Sequence, residues 1–436
     1  MKRKLIIPII LIAVIVFGAI TYSNPSLKYH VSQYNFIIID ECCRLVVPEV
    51  FQPKGFYGNE LPDVKTTLYE MNFTKEEFII GLASPTQLTF VDDDNLLILE
   101  KNSGYVRVIN NGVLKEKPVY DFNVFATLES GLVGILHSEG YVYIYVTESL
   151  ADGEPALGNY IYRFNWDGNK LTNKEIMNIL PARDSLRHHG GAMAAGLDGT
   201  IYAVIGDLNK AREEKAGALQ NSFFNEIDDT SVIIKVGLNK NELKPSESSN
   251  PFEHYRAIGI RNSFGLAIDP VTGNLWQTEN GWTVNSPDEI NLVPTKFNSG
   301  WNITMGNATE EEISKMRFPE FPFSPPEFGW DPNIAPTALV FVENRWGEEF
   351  KNSLLVGSCN KGIIYKFELN AERDGFIFEN EDLTDLLLGP NDSDDEIVFA
   401  RDLGCIVDME FGPDNALYVS SISNNGLIYK IIPKLS

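Results

Sequence analysis

Short alternations of apolar and polar residues organise this chain, and helical periods are scarce. From about Leu82 a unit recurs. It has a turn rich in Asp, Asn and Gly, a strand of the Leu-Tyr-Val kind, a polar loop, then Gly and a strand of the Ile-Tyr-Lys-Ile kind. The copies are Asp93–Glu100 with Gly104–Ile109, Gly140–Val146 with Asn159–Phe164, and Asp198–Val204 with Ser231–Val236. Asn274–Thr278 with Asp288–Val293, Ser353–Val356 with Gly362–Phe367, and Asp414–Val419 with Gly426–Ile431 complete the set of six. Period-two alternation with β-branched and aromatic enrichment predicts strands. A lone hairpin cannot bury both faces, so such units must stack, and radial stacking leaves only short, protected edges. The pattern predicts an all-β, six-bladed β-propeller over residues 82–436. A β-helix would need shorter, more regular repeats and ranks below it.

The segments outside this pattern are few. Lys75–Ile80 and Glu310–Lys315 read as no more than short turns of helix, and Lys210–Glu226 and Asn302–Pro332 as long loops. Lys2-Arg3-Lys4 precedes an apolar run from Leu5 to Ile20, between a signal-peptide core and the roughly 20 residues of a spanning helix. Thr21-Tyr22-Ser23-Asn24 lacks a small-x-small cleavage pattern. Residues 1–23 are therefore expected to form an N-terminal transmembrane or signal-anchor helix in preference to a removed signal peptide. Residues 24–81 would be a linker or strand region. Basic residues before the run place the propeller outside the cytoplasm, membrane-anchored or secreted.

Composition narrows the partners. A net charge of −24 excludes a nucleic-acid partner, since phosphate binding needs clustered Lys and Arg. The 44% of hydrophobic residues provides for a large core. Four cysteines are too few for a disulfide scaffold, and no C-x-x-C spacing suggests zinc. Cys359 and Cys405 occupy equivalent places in consecutive copies, which suits either an inter-repeat disulfide or two buried thiols.

Candidate chemistry gathers in three places. His188-His189-Gly190-Gly191 puts imidazoles before the third copy, where one could serve as a general base or simply brace a loop. Arg261-Asn262 lies between Gly259 and Gly265, suited to clamping a carboxylate or quinone oxygen, or to bracing a turn. Glu279-Asn280-Gly281-Trp282 with Asp288-Glu289 offers oxygen ligands without His or Cys, a set that suits Ca²⁺, although a solvated acidic loop has the same composition.

Taken in order, these motifs resemble a known family. The series runs Glu129-Ser-Gly-Leu-Val-Gly134, His188-x-Gly-Gly191, Ile205-Gly-Asp207, Gly259-x-Arg-Asn262, Leu275-Trp-x-Thr-Glu-Asn-Gly281, Asp288-Glu-Ile-Asn291, Gly300-Trp301 and Gly412-Pro-Asp414. It is similar to the glucose/sorbosone dehydrogenase family of soluble quinoproteins. The resemblance implies a six-bladed propeller that binds pyrroloquinoline quinone (PQQ) and Ca²⁺ at the top of its channel and oxidises aldose sugars to lactones, passing electrons to an external acceptor. It makes His188 the base. It puts Glu129, Arg261 and Asn262 beside the cofactor, and the carbonyls of Gly281 and Trp282 on Ca²⁺, with Asp288 and Glu289 in the same loop. The family usually has Pro where Trp282 stands. Its soluble glucose dehydrogenases carry a Lys where Asn360 stands, next to Lys361, and an Arg-x-Arg-Asp run where this chain has Cys405-Ile-Val-Asp408. Those departures keep two alternatives open, a non-catalytic Ca²⁺-binding propeller that binds a glycan or protein at the cell surface, and a Ca²⁺-dependent lactonase or esterase.

Overall fold

Strands a few residues long cannot hide both faces in one sheet, and the fold answers this with six small sheets packed face to face. In the computed structural model the described residues are 72–434, apart from 184–186, 211–220, 222–226, 283–285 and 424–425. Each sheet is built on an antiparallel meander with the inner strand first, and the sheets of blades 3 and 4 add an outer strand paired in parallel. The inner strands are Pro85–Phe90, Leu132–Ser138, Met193–Ala195, Gly265–Ile268, Pro336–Phe341 and Ile406–Phe411, opening blades 1 to 6. The six copies found in the sequence are the second and third strands of these blades.

The apolar core is a set of six layers, one between each pair of neighbouring blades. Leu97, Val106, Val142 and Phe164 fill the space between blades 1 and 2. Leu88, Ile98, Tyr418 and Ile428 join blade 6 to blade 1. Aromatic residues carry much of the area, most of all between blades 5 and 6, where Phe73, Trp346, Phe350 and Phe399 meet edge to face or stacked.

Phe73 belongs to a strand that the sequence reading took for a turn of helix. Phe73–Ile80 pairs antiparallel with Leu427–Pro433, setting Phe73 opposite Pro433 and Ile80 opposite Leu427, with a bulge between Glu77 and Ile79. It is the outermost strand of blade 6, so the propeller begins at Phe73, ahead of residue 82. Glu310–Lys315 is a helical turn as expected, closed by a Thr309–Glu312 capping box. The second long loop is not featureless either, because Phe328–Trp330 within it is the fourth strand of blade 4.

The expectation of a membrane-spanning helix is corrected. Among the described residues no helix is long and apolar enough to cross a membrane. The only α-helix among them, Glu310–Lys315, has six residues, against the roughly 20 that a bilayer requires. Residues 1–23, on which the anchor and the membrane partner rested, lie outside the described residues. The fold of the described residues is the all-β propeller.

The inner strands line an axial channel of about 170 Å³. Asp408 and Glu410 face it from blade 6, where main-chain N–H groups of Leu88 and Phe90 donate to them. Burial pushes Asp408 up to about 7, and burial with the Asp408 charge pushes Glu410 up to about 8. The folded state therefore keeps protons that the unfolded chain releases. The stability from these groups is full below the ordinary carboxylate range and is lost as pH rises through 8.

Two outcomes are expected. Phe73→Ala should cost about 3–5 kcal/mol in urea unfolding, because it empties the aromatic layer that seals the last blade. Between pH 5 and 8.5 the unfolding free energy of the native protein should fall relative to that of Glu410→Gln, and parallel pH profiles would refute the assignment.

Candidate active site at the propeller mouth

A meander that starts on the inside returns to its starting end between the second and third strands. The segments leading into the inner strands and the loops between second and third strands therefore share one mouth. Glu129, His188, Arg261 and Asn262 lie on the leading segments of blades 2, 3 and 4. Asp207, the Gly281–Trp282 loop and Asn360–Lys361 lie on the returning loops of blades 3, 4 and 5. All the expected site residues thus open onto one end of the ring.

His188 is held at two points. It is buried, with its backbone in the left-handed region at φ 66°. Its N–H donates to Glu129 Oε2 at 2.6 Å, and its Nδ1 lies 2.5 Å from Asp207 Oδ1. The Gly190 that follows is required by crowding, since a Cβ there would stand 2.2 Å from the Val204 carbonyl oxygen. Glu129 Oε2 also accepts from Asn262 Nδ2 at 3.4 Å, so one carboxylate joins three blades.

Asp207 and Trp301 were quoted in the sequence motifs without a role. The structure supplies one. Asp207 Oδ2 accepts from the Trp301 indole N–H at 3.0 Å, and Oδ1 from the Asn209 N–H at 2.7 Å. Burial disfavours the Asp207 charge, but the His188 hydrogen bond and charge, together with these donors, hold the carboxyl below its ordinary range. An ionised Asp207 fixes the ring through Nδ1 and leaves Nε2 for proton transfer.

Arg261 is the guanidinium of the mouth. Its Nη1 donates to the Asn280 and Gly281 carbonyl oxygens at 2.6 and 2.8 Å, and its backbone N–H donates to Glu279 Oε1 at 2.5 Å. Burial lowers its pKa, while Asp207, Glu279, Glu129 and Asp288 oppose the shift, so it stays charged. Glu279 and Glu289 are cross-strand neighbours, fully buried, and burial raises both; Glu289 is raised further by the charge of Glu279.

Asp288 and Glu289 are committed to the frame of the loop. Asp288 Oδ1 accepts from Gly281 N–H and Asn333 Nδ2 at 2.7 Å each, and Oδ2 from the Ile334 and Ala335 N–H groups at 2.6 and 2.7 Å. Glu289 accepts from the Gly306 N–H and from Asn291 Nδ2. Among the described residues no three His, Cys, Asp or Glu side chains converge as a metal site. The clasp continues onward, because the Cys359 and Asn360 N–H groups donate to the Ala335 and Ile334 carbonyls, and Cys359 is disulfide-bonded to Cys405 of blade 6. Asn360 and Lys361 themselves are exposed at the rim.

Lys101 was missed. It is buried, and its Nζ donates to the Thr127 and Ser130 carbonyls at 2.5 and 3.2 Å, on either side of Glu129. Burial lowers it to about 8, against the pull of Glu129. Nothing in a single Lys within a strand turn would have signalled this.

With this geometry described, the comparisons decide the family. Residues 82–430 match the family described as Glucose / Sorbosone dehydrogenase. The chain belongs to that family. Membership places it among oxidoreductases of the PQQ-dehydrogenase superfamily. It is 22% identical over 375 residues to an aldose sugar dehydrogenase of Escherichia coli, covering 81% of this chain and 91% of the relative. It is 25% identical over 259 residues to quinoprotein glucose dehydrogenase B of Acinetobacter calcoaceticus, covering 53% and 52%. The PQQ-bound aldose sugar dehydrogenase of Streptomyces coelicolor superposes with a TM-score of 0.59 at 16% identity, over 83% of this chain and 98% of that one. At that identity the likeness is one of fold.

The residues at the mouth can be tested against the family's cofactors. Arg261 Nε and Asn262 Oδ1 are buried and have no hydrogen-bond partner, so a donor and an acceptor stand unmet side by side. A quinone bearing carboxylates and a ring N–H would meet both. The oxygens suited to a hard cation are the carbonyls of the Gly281 loop, two of which now accept from Arg261. The fit is good at the Arg261–Asn262 end and poorer in charge at the rim, where Cys405 is oxidised and Asn360 is neutral.

Asp288→Ala should destabilise the protein by about 3 kcal/mol or more, because it strands several main-chain donors, each costing ~1–3 kcal/mol. Chemical denaturation measures it, and a loss under ~1 kcal/mol would show that the loop holds without the clasp.

Proposed function

We propose that the chain oxidises the anomeric hydroxyl of aldose sugars to the lactone outside the cytoplasm, using PQQ and Ca²⁺. The observation that carries this reading is the Glu129–His188–Asp207–Trp301 chain of hydrogen bonds beside the unmet atoms of Arg261 and Asn262.

His188 Nε2 takes the hydroxyl proton, and the ionised Asp207 stabilises the imidazolium that results. Trp301 keeps Asp207 from turning away, and Glu129 fixes the His188 backbone. Arg261 and Asn262 hold and orient the cofactor, and the carbonyls of the Gly281–Trp282 loop hold the metal, with Asp288 and Glu289 shaping that loop. Bound PQQ supplies the two-electron acceptor for the C1 hydride, and Ca²⁺ the charge that polarises it. An external acceptor would be needed to reoxidise the loaded site. The Cys359–Cys405 disulfide supports a location in an oxidising compartment.

Titration with PQQ and Ca²⁺, followed by dye reduction with a panel of aldoses, tests the reading. Turnover is expected, and His188→Ala should lower it by about 10²–10⁴-fold with PQQ affinity unchanged. Full activity in His188→Ala would remove the assigned base. Ca²⁺-induced stabilisation without any PQQ binding would instead favour a Ca²⁺-binding propeller that recognises a glycan or protein.

A further inference from the structure

Trp282 is the anomaly of the mouth. Among the described tryptophans it alone ranks as an exposed large hydrophobic residue, at 40% exposure, in a chain of net charge −24. Its neighbour Trp301 is 4% exposed. The two rings lie with centroids 5.0 Å apart at 44°, so Trp282 rests on Trp301 and keeps open surface of its own. Trp301 is anchored in turn by Asp207, 3.0 Å from its indole nitrogen, and by the Arg261 guanidinium 5.6 Å from its ring. The support beneath Trp282 is therefore the same group that positions the His188–Asp207 pair. An exposed indole one ring away from a proton-transfer pair is wasteful as packing, because a smaller residue would cover Trp301 with less apolar surface left in water.

We propose that the indole of Trp282 is the platform on which the pyranose ring of the sugar substrate stacks, a specificity determinant that rests on the aldose-oxidising reading above. A pyranose has one face of C–H bonds and a rim of hydroxyls. A rigid indole takes the apolar face at small entropic cost. His188, held through Asp207 to the Trp301 ring beneath, supplies the polar group that fixes a ligand's orientation on an aromatic surface. Two-point recognition of this kind sets the anomeric carbon relative to His188. A Pro at this position would offer no indole face, so this chain should favour pyranoses whose axial C–H bonds form an unbroken face, with hydroxyls equatorial, over small or open-chain aldoses.

The test uses the full chain with Trp282→Ala, Trp282→Phe and Trp282→Pro. In protein loaded with PQQ and Ca²⁺, Trp282→Ala should raise KM for the best pyranose roughly tenfold, about 1.4 kcal/mol, with kcat within about twofold. Trp282→Phe should recover most of the difference. In cofactor-free protein a methyl pyranoside, which cannot be oxidised, should quench tryptophan fluorescence, and the quench should vanish in Trp282→Ala. An unchanged KM and an unchanged quench overturn the platform. So does a fall in PQQ affinity in place of the rise in KM, because the ring would then serve the cofactor. Quenching that depends on Trp282 in a protein with no turnover would uphold the platform while the oxidation reading failed. Trp282→Pro, which has no aromatic face, should raise KM as Trp282→Ala does and keeps the test decisive if the alanine variant does not fold.

Discussion

A propeller has no centre shared by all its blades, so a site at its mouth must be held by contacts that pass from one blade to the next. Here those contacts are carboxylates that accept from main-chain and side-chain N–H groups of neighbouring segments. Glu129 reaches from blade 2 to the His188 N–H and to Asn262. Asp207 ties blade 3 to the Trp301 segment, and Asp288 gathers donors from its own loop and from the segment entering blade 5. Each carboxylate is costly to bury and cheap to satisfy where unpaired N–H groups already exist at strand ends. Geometry at the mouth follows from that exchange. Without it the six layers of apolar contact would still stack the sheets, but nothing would fix the loops.

The same exchange explains the electrostatics. Arg261 is surrounded by Asp207, Glu279, Glu129 and Asp288, and it remains charged despite burial. Glu279 and Glu289, paired across two strands, are pushed towards the protonated form by burial, and Glu289 also by the charge of Glu279. The mouth therefore gathers several carboxyl groups around the Arg261 guanidinium, which suits a polar, cation-assisted site better than a hydrophobic cleft.

The sequence carried the second and third strands of every blade, because these are long enough to show alternation and are joined by turns with Gly and Asp. Inner strands such as Met193–Ala195 are too short to show a period. The outer strand of blade 6 lies at the other end of the chain from its partner, and Phe73–Ile80 on its own reads equally well as a helical turn. At the site, His188, Arg261, Asn262 and Glu129 were legible because glycines flank them in recognisable order. The work of Asp207 and Trp301 was hidden, since a hydrogen bond across 94 residues leaves no local mark. Composition suggested Asp288 and Glu289 as oxygen donors to a metal. Whether those oxygens already accept from backbone N–H groups is a matter of tertiary structure that composition does not record.

The pairing of Phe73–Ile80 with Leu427–Pro433 has a consequence for biosynthesis. The strand made first among these blades waits for the strand made last, and the contact spans nearly the whole propeller. Blades can form one after another as the polypeptide emerges, each layering on its predecessor, but the ring stays open until Leu427–Pro433 has been made. Throughout that interval blade 6 lacks its outer strand, and Phe73 lacks the aromatic layer it seals. Nascent chains therefore pass through a long-lived crescent with an exposed edge, which is the stage at which chaperone capture or misassociation between copies would act.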